Sequence, residues 1–107
     1  MRFLMTTTAG DAPDEQMMAE MDKFVAELSQ AGVLLATGGL DPVGSRITAS
    51  DGNVTVTDGP FAEAKEAIIS FALVDVRSKD EAIELSKRFW QIVRNGEGAI
   101  QQVYGPE

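Results

Sequence analysis

The dipeptide Asp51-Gly52 ties two stretches of this chain to each other. A two-residue hairpin turn needs positive φ at both central positions, and Asp-Gly is among the pairs that adopt it at least cost. Pairing outward from the turn sets Ala49 opposite Val54, Thr48 opposite Thr55 and Ile47 opposite Val56. Apolar meets apolar and hydroxyl meets hydroxyl at each step, a match that a slip of one residue would destroy. The pattern predicts a half-buried hairpin with one apolar face. Its other face carries Arg46, Thr48, Thr55 and Thr57.

The flanking segments read just as directly. Arg2 to Thr7 alternates as a strand, with Phe3 and Met5 on one face and Leu4 and Thr6 on the other. Ala9 to Pro13 breaks it. Met17, Met21, Phe24, Leu28 and Ala31 then step as one helical stripe, with Asp14 and Glu15 in the first turn and Gly32 placed to end the helix. A strand over Val33 to Thr37, closed by Gly38-Gly39, leads into the hairpin. After it come a loop through Glu66, a strand from Ile68 to Val76 and the capping-box sequence Ser78-Lys79-Asp80-Glu81. The second helix runs to Arg94 with Ala82, Leu85, Phe89, Ile92 and Val93 as its buried stripe. Asn95-Gly96 stops it, and a last strand covers Ala99 to Tyr104.

Without the hairpin, this order is βαββαβ. The expected fold is therefore α+β: a single domain over 1–107, ferredoxin-like, with an inserted β-hairpin and both helices on one face of an antiparallel sheet. Two helices cover one sheet face. Yet the strand around Phe71 is apolar on both sides, with Ile69, Phe71 and Leu73 against Ala72, Val74 and Val76. A second sheet packed on the bare face would cover it, so a dimeric α/β-barrel, a homodimer, is expected.

Charge and composition narrow the chemistry. The chain carries 17 acidic and 9 basic side chains, a net charge of −8, so neither nucleic acid nor an anionic membrane surface is an expected partner. It has no cysteine and no histidine, which excludes disulfides, thiolate nucleophiles and any triad with an imidazole base. Carboxylates are scattered without calcium-loop spacing, and neither Gly38-Gly39 nor Gly96-Glu97-Gly98 has the setting of a phosphate loop. No metal and no cofactor are expected. With no signal segment and no apolar run of membrane-spanning length, cytoplasmic residence is the expectation.

The segment Val54 to Glu66 ends a strand in Asp58-Gly59-Pro60-Phe61 and continues Ala62-Glu63-Ala64-Lys65-Glu66. It resembles the signature of the DGPF group within the YCII-related proteins. Ala31-Gly32-Val33-Leu34 before Gly39-Leu40, and Ser78 to Ala82 opening a helix, match as well. The resemblance covers nearly the whole chain and implies the same dimeric α/β-barrel. Some such proteins resemble accessory domains beside transcription sigma factors. A few are enzymes, including a dehydrochlorinase with a His–Asp pair whose His lies on the first helix. By spacing back from Gly32, that His position falls on Met21 here, and Asp41 matches the paired Asp. With Met in place of His, the dyad chemistry does not carry over.

Asp58 is the leading polar candidate for chemistry. One reading is a general acid or base in a cleft, its pKa raised by partial burial; the other is a turn residue whose carboxylate bonds nearby amides. Arg46 suits a ligand carboxylate or guards a sheet edge. Phe61 would supply an apolar wall; Glu63, Lys65 and Glu66 read either as a charged rim around a ligand or as a solvated loop, and Asp41 is a substrate-binding candidate through the resemblance. Met17, Met18 and Met21 read as core filler, and Trp90 and Tyr104 as packing residues. The functional expectation is a small organic molecule bound near the Asp58 loop, with cofactor-independent lyase- or isomerase-like turnover as its extension. The alternative is a non-catalytic sensing or protein-interaction dimer, such as an accessory module in transcription regulation.

Overall fold

Eight elements are laid out in the computed structural model, which describes residues 1–41, 43–59 and 67–105. In chain order they are β1 (Arg2–Gly10), α1 (Glu15–Gln30), β2 (Leu34–Gly39), β3 (Ser45–Ser50), β4 (Asn53–Asp58), β5 (Ser70–Asp75), α2 (Lys79–Val93) and β6 (Gly96–Val103). β2, β5, β1 and β6 form one antiparallel sheet in that spatial order, and β3 pairs with β4 in a separate two-stranded sheet. α1 joins β1 to β2 and α2 joins β5 to β6, the ferredoxin-like pattern of a four-stranded α+β domain.

Local chemistry fixes both helix starts. Asp14 is the N-cap of α1 rather than a first-turn residue, its Oδ1 accepting from the Met17 backbone N–H at 2.8 Å. Ser78 caps α2, accepting from the Glu81 N–H at 3.1 Å. The Glu81 carboxylate reaches back to the N–H of Arg77, one residue before the cap. Such caps satisfy donors that the helix itself cannot. Gly32, at φ +74°, ends α1 as its spacing predicts.

The helices cover the sheet face that carries Phe3, Met5, Ala72 and Val74. Phe3, Val74 and Val76 are buried there with Phe24, Leu28, Ala82 and Leu85, and Met21, Leu34, Phe89, Ile92 and Ile100 pack around them. Fully burying a large apolar side chain contributes about 1.5–3 kcal/mol, so this cluster is the main source of stability. On the exposed side Arg88 of α2 pairs with Glu27 of α1 at 2.7 Å and lies 4.8 Å over the Phe24 ring.

Several boundaries differ from the sequence reading, each for a visible reason. β6 begins at Gly96 rather than Ala99, because Gly98 pairs with Thr7 and Gly96 with Gly10 beyond an irregularity in β1. The same pairing carries β1 through Ala9 to Gly10. β2 takes in Gly38 and Gly39, which pair with Phe71 and Ser70 instead of ending the strand. Ala31 is the exposed C-cap of α1, so the buried stripe stops at Leu28.

The hairpin has the predicted register: Ala49 faces Val54, Thr48 faces Thr55, Ile47 faces Val56 and Arg46 faces Thr57. Asp51 and Gly52 have φ +50° and +81°, the positive pair of a type I′ turn. Its burial differs from expectation. Ile47, Val54 and Val56 are 69%, 62% and 60% exposed, because β3 and β4 pack on each other and make no extensive contact with another described element. The chain's radius of gyration, 15.8 Å, exceeds the ~13 Å of a compact domain of this length.

Candidate functional site

A cavity of about 390 Å³ opens between the four-stranded sheet and the two helices. Its floor comes from β1, β5 and β2, at Met5, Thr7, Ser70, Ala72, Val74, Leu34, Thr37 and Gly39. Its roof comes from Met21, Phe24, Val25 and Leu28 of α1 and from Ser86, Phe89 and Trp90 of α2. The room exists because the floor is built of small residues: Gly39, Ser70 and Ala72 leave the helices' larger side chains without a partner layer below them. Such sequence–cavity logic is the reverse of core packing, where facing positions fill one another.

Trp90 is held in this wall by two glycines. A Cβ on Gly98 would lie 3.0 Å from the Trp90 ring, and one on Gly96 would lie 2.6 Å from it. Both glycines also run hard against the β1 backbone, at Thr6 and Ala9. Only a residue without Cβ lets β6 approach both the ring and β1. The Phe89 ring stands edge-on to Trp90, with centroids 5.0 Å apart and planes at 86°. Edge-to-face pairs of this kind are favoured by the ring quadrupoles and restrict both side chains.

The lining is mostly apolar, with Thr7, Thr37, Ser70 and Ser86 as the hydroxyl-bearing residues on the helix-facing side. The Thr37 hydroxyl donates to the Phe71 carbonyl at 2.9 Å. Among the described residues no Asp, Glu, Lys or Arg lines the cavity. A site of this composition binds by shape, dispersion and a few neutral hydrogen bonds.

Of the residues singled out from the sequence, Asp58, Arg46 and Asp41 do not line the cavity. Asp58 ends β4 at the base of the hairpin, exposed, where its Oδ1 accepts from the Ser45 hydroxyl at 2.6 Å. Next to it the Gly59 N–H donates to the Gly44 carbonyl at 2.7 Å, so this pair of bonds closes the hairpin root. Arg46 sits on β3 opposite Thr57. Asp41 makes a tight turn, its Oδ1 accepting from the Val43 N–H at 2.9 Å. Phe61 and Lys65 lie outside the described residues, as do Pro60 and the rest of that loop through Glu66. The structure does not bring Asp58, Arg46 and Asp41 together around the cavity.

Met21 and Trp90 are the reverse case. Their readings as core filler and packing residue hold, since Met21 packs against the core and Trp90 against β6, but both also line the cavity. No local pattern marks such a double role. The signal was the run of small residues on β2 and at Ser70 and Ala72, whose meaning depends on which helix lies above them. Among the described residues no group of three carboxylates comes together as a metal ion would require.

The model of the YCII-related domain matches residues 1–104 of this chain. The chain belongs to the YCII-related family. Another match is an uncharacterised protein of Rhizobium meliloti (strain 1021), 33% identical over 85 residues that span 78% of this chain and 68% of that one. Among solved structures, the 5-chloro-2-hydroxyhydroquinone dehydrochlorinase of Burkholderia phenoliruptrix AC1100, in complex with 2,5-dihydroxybenzoquinone, aligns with a TM-score of 0.48. Sequence identity there is 15%, over 99% of this chain and 96% of that one. The chain has no histidine, and Met21 is part of the cavity wall. Among the described residues, no helix of this family member is long and apolar enough to cross a membrane.

Proposed function

We propose that this YCII-related protein binds a small, uncharged organic molecule in the cavity between its sheet and its helices. The observation that carries the reading is the lining: about 390 Å³ walled by Met, Phe, Trp and Leu side chains, with hydroxyls as the polar groups and no ionisable side chain among the described residues. That volume is at the lower end of the range for ligand sites and well above the ~150 Å³ in which a single benzene is held. A charged ligand would lose its hydration there without gaining a counter-ion, which is unfavourable by several kcal/mol. Binding without turnover is the form of the proposal, because acid–base work needs a titratable group within reach of the substrate. Asp58, engaged with Ser45 at the hairpin root, serves the hairpin in this account.

The protein acts as a homodimer in this reading, its two sheets packed through the faces turned away from the helices to make an α/β-barrel. Leu4, Phe71 and Leu73 occupy that face and are half-buried in the single chain, although no described element lies over them. Burying an apolar sheet face is the usual reason for such pairing.

Calorimetric titration with neutral rings of one or two cycles, such as phenol, catechol and indole, tests the site against benzoate as a charged control. Binding of one or more neutral rings, lost in Ala72→Leu and in Ser86→Leu, supports the reading. Preference for benzoate, or neutral-ring binding untouched by both fillings, contradicts it.

A further inference from the structure

The β3–β4 hairpin has no reason to be stable where it stands. An isolated two-stranded hairpin is marginal in water, and this one keeps Ile47, Val54 and Val56 more than half exposed on one side. The opposite side carries Arg46, Thr48, Thr55 and Thr57, so the sequence distinguishes a face built for burial from one built for solvent. We propose that the hairpin is an arm whose apolar face is buried against a second copy of this chain, in the same dimer that the sheets form.

The size of the interface points to a second copy. Four strands at about 4.8 Å spacing and about 20 Å long give a sheet face with a footprint of about 380 Å². A stable interface needs about 800 Å² from each partner, so the sheet face by itself supplies about half. Each hairpin face adds about 200 Å² and covers a like area on its neighbour, which brings each copy's share to about 800 Å². Two-fold symmetry uses both arms at once and leaves neither apolar face in water. The root of the arm is made rigid for this, by the Ser45–Asp58 and Gly44–Gly59 bonds. Asp51-Gly52 keeps its tip tight.

This inference rests on the dimer reading above, and sedimentation equilibrium separates the two. The wild type is compared with Ile47→Asp/Val56→Asp on the apolar face, Thr48→Asp/Thr55→Asp on the opposite face, and Leu73→Asp on the open sheet face. The expected result is a wild-type dimer whose dissociation constant rises at least 100-fold for the first pair and for Leu73→Asp, and less than threefold for the second pair. Circular dichroism verifies folding, and Ile47→Ser/Val56→Ser replaces the first pair if it fails to fold. A dimer weakened by Leu73→Asp and indifferent to the hairpin charges overturns the arm and leaves the sheet dimer standing. Equal weakening by both hairpin pairs overturns the assignment of the apolar face. A wild-type monomer overturns both readings.

Discussion

Trp90 lies so close to Gly98 that a Cβ at that position would sit 3.0 Å from the indole ring. The contact joins α2 to β6 and holds one wall of the cavity in place. It also explains why β6 starts with Gly-x-Gly. The glycines make room for the ring.

Gly98→Ala is expected to destabilise the protein by about 1–3 kcal/mol, the range for overpacking a filled site. The new methyl would meet the Thr6 carbonyl as well as Trp90, and the backbone of β1 has less freedom to give way than a side chain. Urea unfolding followed by circular dichroism measures the change. A midpoint equal to that of the wild type would show that β6 has room the structure denies it.

Gly52→Val should cost about 1–2 kcal/mol for a different reason. Nothing lies within 4 Å of a Cβ built at Gly52, so no clash contributes. The penalty is all in the backbone, since a β-branched residue resists φ +81°. Gly52→Asn, which tolerates this conformation, should recover most of the loss. Equal melting temperatures for the Val variant and the wild type would argue against the type I′ turn.

The link between the helices has a pH dependence of known sign. Hydrogen bonding to Arg88 is the largest influence on Glu27 and lowers its pKa below the ordinary 4.5; the charge of Arg88 acts in the same direction. A carboxylate with a depressed folded-state pKa stabilises the fold above its unfolded value, and that contribution is lost as pH falls through the folded value. Glu27→Gln should therefore melt below the wild type at pH 7, with the gap closing below pH 4.5. The pair is exposed, so the difference is small and shrinks in high salt. A gap that widened on acidification would contradict the assignment.

Asp58→Asn retains an oxygen that can accept from the Ser45 hydroxyl. It should leave ligand binding unchanged and shift stability by less than about 1 kcal/mol, in line with an exposed hydrogen bond. Asp58→Ala removes the acceptor and should loosen the hairpin root further. Calorimetry and thermal melting of both variants check this. Loss of ligand binding in Asp58→Asn with an intact fold would return Asp58 to the site.

The parts of the fold legible in the sequence were those with a local cause. Asp51-Gly52 and its matched arms specified a register, Gly32 a helix end, and Ser78 with Glu81 a helix start. Strand ends were less legible, because Gly38, Gly39, Gly96 and Gly98 read as breaks by propensity while tertiary pairing holds them in strands. The cavity was illegible for a related reason. It is made from missing side chains at Gly39, Ser70 and Ala72 beneath Met21, Phe89 and Trp90, residues far apart in sequence. Polar residues such as Asp58 and Asp41 attract attention in a sequence. Here their bonds are local, to Ser45 and to the Val43 amide.

Trp90 is the chain's single tryptophan and lines the cavity, so its fluorescence reports occupancy without a label. Titration of the wild type and Ala72→Leu with indole-free neutral rings, phenol and catechol, with excitation of Trp90, tests directly whether the cavity is a binding site. A saturable change in emission is expected for at least one ring in the wild type, weakened at least tenfold by Ala72→Leu and absent with benzoate. No saturable change with any neutral ring, or the same curve in Ala72→Leu, would contradict binding in the cavity.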